Sequence, residues 1–532
     1  MISSPDYRLV RSHFFYIELK KYGYILLISI IVLAFGLRSY KLTDRPLHTD
    51  EAVGAVKFGQ LLDHGDYTYD PFEYHGPTMN YLTLIPAWIV GEDTFKDLSI
   101  GTIRSVALFF GMLLVLIPIV FLYRFDFRYA LLVSFLVTVS PAMIFYSRYY
   151  IHEFILVFFT FLGIYAYFQW EAHRKWLWSA LLGFSVGMMI ATKETWIISV
   201  AGFLAAVVVA GNRQAFYQFL VSKHSLIALG LMLVVIVTFF SSFFTHFEGL
   251  KDMSGTYSTY LDRAGTKDLH RHPWYYYLEL LSFNKGSEYF WSEVSIILLA
   301  ATGSLFLYLE PEETALVRNL RMIEVFSVFL LIIYSILPYK TPWNLLSFYM
   351  GLFFLAGYGL INLIWMMGSR WAEVAVALIF GLICIHLLSQ SFIEYRNPAD
   401  PSNPWVYGHT DGNFHQVVQT IDSVAMDEST YIEVVFPGHG YWPFPWYLKK
   451  YSQVAYRDKV DFNSPGGEII LIAPSQEGEL VEKLYEKPPP GERFLYLNLF
   501  DSTQTLRPNV YFNGYQRQDL WEKRQNINIE ND

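Results

Sequence analysis

About eleven runs of 17–25 mostly apolar residues, the length that crosses a bilayer as a helix, punctuate the chain and dictate its class. They fall at 22–40, 101–123, 129–147, 151–169, 176–192, 194–210, 224–244, 292–309, 323–339, 343–366 and 372–391. A twelfth run, 79–90, is shorter and carries a central proline, so it is expected at the membrane interface. Hydrophobic residues make up 53% of the 532 residues and charged ones only 16%, too little polar surface for a soluble globule of this size. The net charge of -9 has no basic run, so nucleic acid is not an expected partner. The lone Cys384 lies in an apolar run and excludes a disulfide framework or a cysteine metal site.

Lys and Arg in short connections favour the cytoplasm. Arg8, Arg11, Lys20 and Lys21 precede the first run, and Arg124, Arg128, Arg174, Lys175, Arg213, Lys223, Arg318, Arg321 and Arg370 fall in alternate connections. The N-terminus is therefore expected inside a plasma (inner) membrane and the first run retained as an anchor. The 41–100 loop, the turns near 148–153 and 193–194, the 246–290 loop and everything after 392 are expected outside. Residues 1–391 form the membrane domain. In 392–532, short apolar runs (TYIEVVF, EIILIAP, RFLYLNLF) alternate with polar stretches, the pattern of a small α/β domain.

The stretch Arg45–Pro77 is longer and more polar than a connection needs, with paired carboxylates at Asp50 and Glu51 and a Tyr74-His75-Gly76-Pro77 turn. Other charges gather at the same outer rim: Arg148 and Glu153, Lys193 and Glu194, and Lys340. A charge at the bilayer centre costs about 2.5–3.5 kcal/mol, so charges near spans belong at ends or in cavities. Each has a plain structural reading. Asp50 could cap a helix over AVGAVKFGQLL, Arg148 and Glu153 could pair, and Lys193 and Lys340 could snorkel. Their convergence suits sugar transfer from a lipid-linked phosphate to a hydroxyl, which needs a carboxylate base and cations for the departing phosphate. Adjacent helical residues diverge by about 100°, so one of Asp50 and Glu51 is base and the other support. A single displacement with inversion follows from one base.

The residues also resemble known motifs. HTDEAVGAVKFG resembles the first-loop Asp-Glu signature of GT-C glycosyltransferases of the protein O-mannosyltransferase type. FEYHGPTMNYL is similar to the phosphate-contacting segment of the lipid A aminoarabinose transferases, with His75 at the position of their lysine. SRYYIHEFILVFF resembles the second acidic motif, with Glu153 where Asp is more usual, and MIATKETWII the Thr-Lys motif that brings in Lys193. RHPWYYYLELL, YKTPWNLL and YWPFPWYLKKYSQVAY are similar to later motifs of the flippase-activity-associated PMT-like family of bacteria and archaea.

The resemblance implies a multi-pass GT-C transferase with a polyprenyl-phosphate sugar donor and a glycan, lipid or protein acceptor. Asp50 is then the base and Glu51 its support. His75, Arg148, Lys193 and Lys340 are candidate phosphate and lipid-head contacts, Glu153 a supporting or acceptor-side carboxylate, and Arg271 and Trp274 donor contacts. His270 and His272 supply two ligands of a divalent metal but no third, so no cofactor is expected. Tyr275 to Tyr277 also suit an interfacial aromatic belt. The rival reading is a lipid-linked oligosaccharide flippase or export-associated protein without transferase activity. It calls for mid-bilayer charges and internal repeats, and the sequence has neither.

Overall fold

The computed structural model describes residues 5–72, 75–256, 270–286, 289–367 and 369–522, with side chains from Tyr22 onward. Tyr74, the middle of the 246–290 loop, the last ten residues and the side chains of Arg8, Arg11, Lys20 and Lys21 lie outside the described residues. Each expected apolar run falls on helix. Among the described residues six helices are long and apolar enough to cross a membrane, from Tyr22–Ser39 to Arg370–Arg396. Phe127–Val139, Trp176–Ile190, Trp196–Val209 and Val294–Leu309 are shorter apolar helices.

The expected single run 129–147 is broken into Phe127–Val139 and Pro141–Tyr146. Pro141 has no N–H to continue the first helix, and Ser140, with extended backbone, caps the second by accepting from the Met143 N–H. The break turns Tyr146 to Tyr150 into a buried bend at the loop end of the bundle.

The 41–100 loop is itself structured by two helices, Thr49–His64 and Thr78–Val90, each stopped by a left-handed glycine, Gly65 and Gly91. The short Thr78–Val90 helix is the run expected at the interface. Its start is tied to the turn at 191–192, where the Gly76 and Thr78 N–H groups donate to the carbonyls of Thr192 (3.1 Å) and Ala191 (3.2 Å).

In the bundle, Val294–Leu309 and Leu346–Met366 cross with their backbones in contact. A Cβ on Gly303 would run into the Leu355 carbonyl, and one on Gly359 into the Leu299 carbonyl. Small residues permit this approach where water supplies no hydrophobic drive between helices.

The C-terminal domain is α/β, as expected. Strands β1 (Ile432–Val435), β2 (Val454–Arg457), β3 (Ile469–Ile472), β4 (Tyr496–Asn498), β5 (Gln504–Arg507) and β6 (Val510–Arg517) form one sheet. Its order is β2-β1-β3-β6-β4, with β5 paired to β6; β2, β1 and β3 are parallel and β6 antiparallel to β3. Strands β1 and β3 alternate between two cores. Ile432, Val434, Ile469 and Leu471 face helix Phe414–Val424, while Val435, Ile470 and Ile472 pack with Leu480. A Gly303→Leu substitution is expected to cost about 1–3 kcal/mol, read as a lower melting temperature of the detergent-solubilised protein.

A candidate active site where the first loop meets the C-terminal domain

Helix Thr49–His64 begins with a capping box. His48 Nδ1 accepts from the Asp50 N–H (3.0 Å), and Glu51 accepts from the His48 N–H (3.0 Å). Glu51 is fully buried. Arg104 grips it with a fork, Nε to Oε1 at 2.8 Å and Nη2 to Oε2 at 2.7 Å, and the Tyr150 N–H adds a further donor at 2.9 Å. The Arg104 guanidinium also donates to the carbonyls of Leu42 and Arg45, each at 2.9 Å. One buried ion pair thereby fixes the chain entering the helix. Burial pushes the Glu51 carboxyl up, but the charge and hydrogen bonds of Arg104, the charge of Arg45 and the Tyr150 N–H together hold it below the usual range and ionised.

With Glu51 locked inward, Asp50 turns outward. Its side chain is 53% exposed, and the His48 ring lies beside it, Nδ1 at 3.8 Å from Oδ2. His48 rests edge-on to Tyr149 (5.4 Å between centroids) and Trp343 (6.1 Å) and against His409 (4.9 Å). Its Nε2 hydrogen-bonds the Tyr407 carbonyl at 3.1 Å. The Tyr407 hydroxyl in turn bonds His270 Nδ1 (2.6 Å) and His272 Nε2 (3.0 Å). The His-x-His pair thus closes on a tyrosine, and no group of three or more metal-ligating side chains occurs among the described residues. His270 lies within electrostatic reach of Asp50, and His272 stacks on Tyr276 at 4.0 Å.

A second group lies at the same end of the bundle. His75 Nδ1 pairs with Glu194 Oε2 at 2.9 Å, His75 packs edge-on to His152, and Lys193 pairs with Glu153. Tyr146 joins the two groups. It lies within electrostatic reach of Glu153, Arg45 and Tyr276 and packs on Tyr149 (6.1 Å) and Trp343 (6.4 Å).

Several cations expected at a phosphate are committed inside the protein. Arg148 is buried and pairs with Glu394 Oε1 (2.8 Å), not with Glu153, while its other arm holds the carbonyls of Tyr40 and Lys41. The Lys340 amine holds the carbonyls of His272 and Leu337. Buried charges require such partners, and a sequence shows the charges without the pairing. Arg271 is exposed, its backbone bridged to Tyr339, and Trp274 is exposed beside Tyr275. Nothing in the sequence singles out His48, Arg104, Tyr407 or His409. His48 stands inside the HTDE motif; the others are separated from it by 53 residues or more of chain.

The sequence model of the dolichyl-phosphate-mannose-protein mannosyltransferase family matches residues 72–250. The crystal structure of ArnT from Cupriavidus metallidurans bound to undecaprenyl phosphate is similar with a TM-score of 0.62 at 13% identity, over 93% of this chain and 98% of that one. The chain has the GT-C fold. The archaeal oligosaccharyltransferase AglB from Archaeoglobus fulgidus, in complex with an inhibitory peptide and a dolichol-phosphate, is similar with a TM-score of 0.53 at 12% identity, over 86% of this chain and 70% of that one. No curated protein sequence matches. In the GT-C frame, the loop bearing Asp50 and Glu51 is the first connection between spans.

Glu51→Gln strands a buried guanidinium and is expected to cost about 3–5 kcal/mol in thermal unfolding, whereas Asp50→Asn is expected to leave the melting temperature within about a degree or two. Burial holds His48 and His409 below the ordinary histidine value, against the pull of Asp50 on His48. The unfolded chain then binds more protons below about pH 6.5, so stability falls on acidification through that pH. Melting temperature is expected to drop between about pH 7.5 and about pH 5.5, and to drop less in His409→Asn.

Proposed function

We propose that the protein is a membrane glycosyltransferase that moves a sugar from a polyprenyl-phosphate donor to an acceptor hydroxyl on the extracytoplasmic side. The observation that carries this reading is the division of labour between Asp50 and Glu51. One carboxylate is held by four donors and cannot take a proton from substrate; its neighbour is half open and bordered by histidines. Asp50 is then the general base. It takes the proton of the acceptor hydroxyl as the hydroxyl oxygen attacks the anomeric carbon, while the bond to the phosphate oxygen breaks on the opposite face and the anomeric centre inverts.

Glu51 is a positioning residue, acting through the backbone it holds. The rim formed by Arg271 and Trp274 suits the donor, one with a forked donor for phosphate oxygens and the other with a ring for the apolar face of a sugar. The coupled pairs His75–Glu194 and Lys193–Glu153 suit a neighbouring wall that tolerates the approach of a phosphate. The orientation, with the N-terminus in the cytoplasm and the C-terminal domain outside, follows from the Lys and Arg distribution.

The purified protein in lipid nanodiscs, given a panel of polyprenyl-phosphate sugars, is expected to turn over one of them, and Asp50→Asn to lose about a hundredfold or more of that rate with donor binding retained. Equal turnover by wild type and Asp50→Asn contradicts the assignment of the base.

A further inference from the structure

The cations that the membrane domain places near the site are largely closed off: Lys193 by Glu153, Arg148 by Glu394, Arg104 by Glu51, and Lys340 by two carbonyls. The C-terminal domain brings another. Arg507 ends β5, and its Nη1 donates to the carbonyls of Gly440 (3.2 Å) and Trp442 (2.5 Å), which fixes the plane of the guanidinium. Among the described residues its Nε and Nη2 have no hydrogen-bond partner, and it lies within electrostatic reach of both Asp50 and His48.

This placement is enforced from several sides. The Leu47 N–H donates to the Tyr447 hydroxyl at 2.8 Å, the Thr410 hydroxyl donates to the Leu47 carbonyl at 2.6 Å, and His415 Nε2 bonds the Asp44 carbonyl at 3.1 Å. The Lys449 amine holds the Leu98 carbonyl and sits over the Trp446 ring at 3.8 Å. The 440–447 segment that Arg507 braces is therefore the one that grips the chain three residues before Asp50.

We propose that Arg507 is an anion-binding arm contributed by the C-terminal domain to the Asp50 site, where its free N–H edge holds the donor phosphate or a negatively charged group of the acceptor. A guanidinium fixed in plane with two nitrogens unengaged suits the forked binding of an oxyanion. An anion bound there also balances a cation that would otherwise depress the basicity of Asp50. The inference rests on the transferase reading for the identity of the anion, and its first test needs no turnover.

Full-length wild type, R507Q and R507K in nanodiscs are titrated with undecaprenyl phosphate and, as an uncharged control, undecaprenol. R507Q is expected to weaken phosphate binding about tenfold or more, with R507K between it and wild type and undecaprenol binding unchanged. An unchanged phosphate Kd with a raised KM and unchanged kcat for an anionic acceptor assigns the arm to the acceptor. Unchanged Kd and KM overturn the proposal, as does an equal loss for undecaprenol. Should R507Q fail to fold, R507K decides: it keeps a charge and a donor for Gly440 and Trp442, so a weakened phosphate Kd or a raised KM for an anionic acceptor supports the arm, and an unchanged Kd and KM overturn it. Phosphate binding that depends on Arg507 in a protein that transfers no sugar would keep the arm and sink the transferase reading.

Discussion

The buried ion pair between Glu51 and Arg104 is the constraint on which the site depends. An uncompensated charge in that position would cost several kcal/mol, so the pair forms or the loop does not settle. Once formed, it pulls the carbonyls of Leu42 and Arg45 onto the same guanidinium, supplies half of the helix cap, and leaves Asp50 one position earlier facing the other way. A pair that by itself adds little net stability thus specifies the direction of its exposed neighbour, Asp50.

From that anchor outward the site is assembled in layers. The bend after Pro141 presents Tyr149 beneath His48, the 246–290 loop presents His270 and His272, and the connection to the C-terminal domain closes over them with Tyr407 and His409. Arg104 holds the chain at Leu42 and Arg45 from within, and Tyr447 and Thr410 hold Leu47 from without. The C-terminal domain therefore shares in shaping the site, and its sheet is the platform that carries Arg507 and the 440–447 segment.

The apolar runs made the helices legible because length and hydropathy act locally, whereas the split at Ser140 was not, since Pro86 and Pro118 sit inside unbroken helices and a proline alone does not announce a break. The asymmetry of Asp50 and Glu51 was legible too, since a helix turns about 100° per residue and two neighbours cannot face one target. Which of the two would be locked was not legible, for Arg104 lies 53 residues away. The same gap explains the cations. Arg148 lies at the expected rim, but its partner Glu394 is 246 residues on, so a charge that read as a phosphate contact also ties the bend after Pro141 to the last turn of helix Arg370–Arg396. Likewise the meeting of His270 and His272 on one hydroxyl was not legible, because Tyr407 comes from a distant connection.

The central claim is that the reacting end of the molecule is the place where the first loop, the 246–290 loop and the C-terminal domain meet. A density map of the protein with bound undecaprenyl phosphate tests it most directly. The account expects the phosphate beside Asp50, within reach of Arg507 or Arg271. A phosphate at the other end of the bundle, in the cleft lined by Arg321 and Glu324, would contradict it.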